Sequence, residues 1–142
     1  RVNGVRDAMK NSGITDDQLS IIQTDYSLAN GAQAFAQLMT TSPRPTVVIC
    51  GNDVLATGAI VRAKESGISV PDDISITGFD DIDLAEVITP KLTTVHVPHR
   101  RMGETAAKLL LEIINGEAEC RSIELETQVV IRESLGPVAT DS

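Results

Sequence analysis

Three stretches place polar side chains directly behind apolar ones: TDY at 24–26, GND at 51–53 and GFDD at 78–81. Each follows a run that reads as a strand, so amide, carboxylate and aromatic groups would arrive together at one edge of a sheet. In open α/β sheets that edge, beyond the carboxyl ends of the strands, is where ligands bind. A carboxylate only accepts hydrogen bonds, whereas an amide both donates and accepts. The pairing of Asp80 with Asn52 therefore suits a polyhydroxylated ligand. Tyr26 offers a ring face for a sugar or base, or is an ordinary half-buried aromatic.

The competing explanation is helix capping, because Asn and Asp are favoured N-caps and each pair precedes a helix. A cap needs one residue, however, and each pair offers two. On this reading Asp53 and Asp81 cap, and Asn52 and Asp80 stay available.

Catalytic chemistry has less support. The sequence holds no G-x-S-x-G elbow, no G-x-x-x-x-G-K-S/T loop and no G-x-G-x-x-G fingerprint. His96 and His99 lie three apart across a strand-to-helix break and lack a third ligand, so no metal is expected. DDIDLAE lacks the turn glycine and terminal glutamate of a calcium loop. No enzyme activity and no cofactor are expected.

The composition sets further bounds. The 142 residues carry a net charge of −8, with 42% apolar and 23% charged residues, which is globular rather than disordered. A domain of this size buries roughly two-thirds of its unfolded surface. Phosphate binding needs a basic face, and His99, Arg100 and Arg101 are too few to make one, so this stretch alone should not grip nucleic acid. Six acids within 72–86, unaccompanied by Lys or Arg, read as a solvated edge. No run is long enough to span a membrane. Cys50 and Cys120 match neither a metal spacing nor a dense disulfide pattern, and a reducing, cytoplasmic compartment is the simpler expectation.

The elements that would position these groups alternate. Helices are expected over 2–12, 29–40, 53–66, 81–88 and 98–115, and strands over 20–24, 46–50, 74–79, 92–97 and, less cleanly, 122–132. TVVIC at 46–50 is uniformly apolar, as for a parallel strand covered on both faces. Pro98 suits the first turn of the longest helix, whose stripe runs through Met102, Ala106, Leu109, Leu110, Ile113 and Ile114. This order predicts an α/β fold, a parallel sheet with helices on both faces.

Residues 44–117 resemble the effector-binding domain of the LacI/GalR (lactose/galactose repressor) family of bacterial transcription regulators. The resemblance is carried by ND-x-x-A-x-G-A, VPDDISI-x-GFDD, P-x-LTTV-x-x-P and MGE-x-A-x-x-LL in that order, with RVNGVRDAM similar to the family's R-x-x-G helix start. It implies a periplasmic-binding-protein-like (type I) fold, here a partial domain, with a small effector, sugar or related, in a cleft. Carried over by motif, Arg1, Asn52 and Asp80 would contact the effector, and Tyr26 stands where the family often places an aromatic.

The resemblance also implies an arrangement. Residues 1–94 and 129–142 would form the C-terminal subdomain, and 95–128 would belong to the N-terminal one. A homodimer is implied along the helix after ND, with Val54, Thr57, Val61 and Ile88 at the interface; core packing is the alternative for these residues. Operator DNA would be bound through a helix-turn-helix absent from these 142 residues. The long helix would then expose its apolar stripe. The expected function is allosteric effector sensing, with a periplasmic sugar-binding transport protein as the alternative.

Overall fold

The computed structural model describes residues 1–117 and 119–138. In chain order they form α1 (Val2–Asn11), a 3-10 turn (Asp16–Gln18), α2 (Leu28–Leu38), β1 (Val47–Ile49), α3 (Asp53–Glu65) and β2 (Ser75–Thr77). Then follow α4 (Leu84–Val87), β3 (Thr94–His96), α5 (His99–Ile114) and β4 (Gln128–Val130). Ala118 and residues 139–142, which fall within the expected subdomain segments 95–128 and 129–142, lie outside the described residues.

β1 and β2 pair in parallel, with Val48 opposite Ile76. Single parallel bridges, Thr77 to Thr93 and Asp80 to His96, carry the sheet on to β3. β4 then pairs antiparallel with β3, Thr94 opposite Val130 and His96 opposite Gln128. The last strand is thus the exception in an otherwise parallel set. The strand expected at 20–24 does not form: the segment has no ladder partner among the described residues. An apolar run there predicts extension, but a strand also needs a neighbour to receive its N–H and C=O groups.

The core lies between the sheet and the α2/α3 pair. Phe35 of α2, Val48, Ile76, Leu92 and the inner face of α3 (Ala56, Ile60, Ala63) are buried together. Each large side chain here contributes about 1.5–3 kcal/mol of burial. Two glycines let the helices approach: a Cβ on Gly31 would collide with the Leu55 carbonyl, and one on Gly58 with the Leu28 carbonyl. Gly58 costs about 1 kcal/mol of helix propensity, and this close crossing is the compensation. α3 stops where predicted, running into Gly67 at φ 70°.

On the opposite pleat Val47 and Ile49 are 44% and 56% exposed, so the apolar run at 46–50 is covered on one face only. Neither α1 nor α5 contains a buried residue. Met102, Leu110 and Ile114 of the α5 stripe are exposed, in line with the apolar surface expected there. Among the described residues no helix is long and apolar enough to cross a membrane.

Candidate functional site

Four side chains meet where β1 and β2 run out. The Arg1 guanidinium lies over the Phe79 ring, its Cζ 3.9 Å from the centroid. Its Nη1 donates to the Gly51 carbonyl, and its Nη2 stands 4.0 Å from Asp80 Oδ1. Tyr26 closes one flank. A Cβ on Gly51 would come within 3.2 Å of the Tyr26 ring, so a small residue there lets the ring approach the backbone. The ring itself is largely open to solvent. Arg1, Tyr26, Asn52 and Asp80, singled out from sequence, therefore share one rim.

The division of labour within GND and GFDD differs from the sequence expectation. Asn52, not Asp53, is the N-cap of α3: its Oδ1 accepts from the Leu55 N–H at 2.9 Å. Its Nδ2 has no hydrogen-bond partner among the described residues, so the amide retains its donor. Asp53 is fully buried and ties two elements together. Its Oδ2 accepts from the Ile82 N–H at 2.9 Å and its Oδ1 from the Thr94 hydroxyl at 2.5 Å. A buried carboxylate needs such partners, and the distant Thr94 and Ile82 supply them better than the helix end. Asp81 does not cap either; the N-cap position of α4 is Asp83, which makes no side-chain cap hydrogen bond.

Asp81 instead anchors a charged cluster. Arg132 Nη2 is 2.7 Å from its Oδ1, an ion pair whose geometry falls short of a hydrogen bond, and His96 Nδ1 is 2.9 Å from its Oδ2. Burial opposes ionisation of Asp81, but the contacts and charge of Arg132 and then His96 outweigh it. Its pKa is held below the ordinary carboxylate value. Beside the rim, the Cys50 thiol is pushed up to about 12, chiefly by burial and then by the Asp53 charge.

Sequence reasoning missed Phe79 as the platform for Arg1, and Arg132 and His96 as partners of Asp81. Phe79 was visible in the sequence as the aromatic residue directly before Asp80 at the third strand end. Arg132 carried no local signal, because its partners are about fifty positions away in the chain.

The expected dimer face is divided. Thr57 is 4% exposed and its hydroxyl donates to the Asp53 carbonyl at 2.8 Å, so it belongs to the interior of this chain. Val61 is exposed, while Val54 and Ile88 are half-buried and Ile88 packs against the core. Val61, Val87 and Ile88 line an open groove between α3 and α4.

A family model described as periplasmic binding protein-like domain matches residues 1–135. The HTH-type transcriptional repressor PurR of Proteus mirabilis (strain HI4320) is 42% identical over 136 residues, 95% of this chain and 40% of that protein. A LacI family transcriptional regulator from Enterococcus faecium, solved with bound ribose, superposes with a TM-score of 0.87 at 38% identity, covering 94% of this chain and 49% of that one. The lac repressor dimer bound to operator and the anti-inducer ONPF gives 0.87 at 29% identity, over 94% and 46%. The chain belongs to the periplasmic binding protein-like domain family and, within it, to the effector-binding domains of LacI/GalR-type regulators. It spans about 40% of the length of the curated repressors it matches.

Proposed function

We propose that this chain senses a small neutral polyhydroxylated effector, of pentose size or larger, for a transcriptional regulator. The observation that carries the reading is the meeting of Arg1, Phe79 and Asp80 at one rim. Arg1 and Asp80 stand 4.0 Å apart, outside direct hydrogen-bonding distance. A ligand hydroxyl between them would donate to the carboxylate and accept from the guanidinium. Asn52 adds a donor through Nδ2, and the Phe79 and Tyr26 rings offer apolar faces to C–H groups. The single positive and single negative charge balance, which favours a neutral sugar over a sugar phosphate. The ribose-bound relative supports the same chemistry.

In the whole protein, effector binding biases a homodimer between two states and so changes operator affinity, in the cytoplasm and through a DNA-binding part outside these residues. Residues 95–128 belong to a second subdomain that closes over the effector; the absence of any buried residue on α5 supports this. Val54, Val61 and Ile88 contribute to the dimer face. No catalytic step is required of any residue. The transport alternative draws no support from the relatives, which carry repressor and regulator names.

Titration calorimetry of the full-length protein with D-ribose tests the reading. Asp80→Ala and Arg1→Ala should each weaken binding by about tenfold or more, the loss expected for a charge-assisted hydrogen bond. Unchanged affinity in both variants would remove the assignment.

A further inference from the structure

Asp80 and Asp81 are consecutive non-glycine residues at positive φ, 108° and 57°. Side chains rarely adopt that region, and the value at Asp80 lies outside the small left-handed basin, so the surroundings must hold the pair there. Backbone contacts fix the ends of the stretch: Asp53 N–H donates to Phe79 O at 2.9 Å and Asp80 N–H to Val95 O at 3.0 Å. The side-chain grip falls on Asp81. Arg132 takes one oxygen at 2.7 Å and His96 the other at 2.9 Å.

Arg132 is itself immobilised. Its Nη1 donates to Leu92 O at 3.0 Å, its backbone N–H donates to Thr93 Oγ1 at 2.8 Å, and Glu86 Oε1 lies 3.2 Å from Nη2. The Asp80 side chain has no hydrogen-bond partner among the described residues and faces Arg1. The two gripping residues belong to one structure. His96 ends β3 and Arg132 follows β4, and these paired strands form the neck from which residues 97–127 leave and return.

We propose that Arg132 and His96 are positioning residues of the effector site. By gripping Asp81 they keep Asp80 at its unusual backbone angle and aim its carboxylate at the Arg1 guanidinium. The inference rests on the effector reading given above and deepens it. It makes effector affinity depend on the position of the β3–β4 neck and, by linkage, makes the neck respond to the effector.

The test compares Arg132→Gln, Arg132→Lys and the double variant Arg132→Gln/Asp81→Gly in the full-length protein. Each is taken through crystal structure determination and calorimetric titration with D-ribose, with Asp80→Ala as reference. In Arg132→Gln, residues 80 and 81 should leave positive φ, and the Asp80 carboxylate should turn away from Arg1. D-ribose should bind about tenfold more weakly. Arg132→Lys should recover much of this by restoring the charge. The double variant should recover part of it, because glycine adopts positive φ without being held, a rescue that a merely structural role would not produce.

An Arg132→Gln crystal structure with residues 80 and 81 unmoved would overturn the inference. So would a double variant weaker than Arg132→Gln alone. If Arg132→Gln does not fold, His96→Ala, removing a half-exposed side chain, must show the same displacement in its crystal structure, and an unmoved pair overturns the inference. D-ribose affinity unchanged in Asp80→Ala, alongside a displaced pair in Arg132→Gln, would refute the effector reading and leave the positioning role standing.

Discussion

The Thr94 hydroxyl donates to Asp53 Oδ1 at 2.5 Å, joining the first residue of α3 to the first residue of β3 beneath the loop that carries Asp80. The other oxygen of the same carboxylate holds the Ile82 N–H. Asp53→Ala would leave the buried Thr94 hydroxyl and the Ile82 N–H without their acceptor and should destabilise the protein by about 2–5 kcal/mol. Asp53→Asn should cost less, since its Oδ1 can still accept from Ile82 while its Nδ2 donates to the Thr94 oxygen. Urea denaturation of the two variants checks the ranking.

The α2/α3 crossing has no room for a methyl group. Gly58→Ala improves helix propensity yet drives a Cβ into the Leu28 carbonyl. The expected net change is a loss of about 1–3 kcal/mol, as for overpacking elsewhere. A thermal melt showing stabilisation would mean that the helices separate at little cost.

Asp81 sets an acid limit. Its folded pKa lies below the ordinary value of 3.8, so its ionised form is favoured by folding. The resulting stability is complete above that ordinary value and is lost as pH falls through the lower folded one. Stability measured from about pH 4 downward should therefore fall less steeply in Asp81→Asn than in the parent protein.

The two cysteines should react differently. Cys120 is exposed, whereas the half-buried Cys50 thiol is pushed up to about 12 and carries almost no thiolate at neutral pH. A maleimide reagent followed by mass spectrometry should label Cys120 in the native protein. Cys50 should react only on unfolding.

Much of this was legible in the sequence, for reasons that differ from residue to residue. Helix positions followed from periodicity and punctuation: the α3 pattern of Ala56, Ile60 and Ala63 and the stop at Gly67 are local facts. The convergence of Asn52 and Asp80 followed from the rule that strand ends share a rim, whereas Arg1 was expected there only through the R-x-x-G resemblance. Which acid does what was not legible. Asn52 and Asp53 each have the chemistry of a cap, and the choice depends on Thr94 and Ile82, which arrive from other elements. Thr57 was expected at the interface beside Val54 and Val61, but local sequence holds no information about what the rest of the chain brings over it. Arg132 entered the site for the same long-range reason.

The central claim is that Arg1 and Asp80 receive a neutral effector between them. A crystal structure of the full-length protein with D-ribose tests it most directly. The account predicts sugar hydroxyls bridging the Arg1 guanidinium and the Asp80 carboxylate, with the ring against Phe79. Sugar bound elsewhere, with these two side chains left facing each other as they stand now, would contradict it.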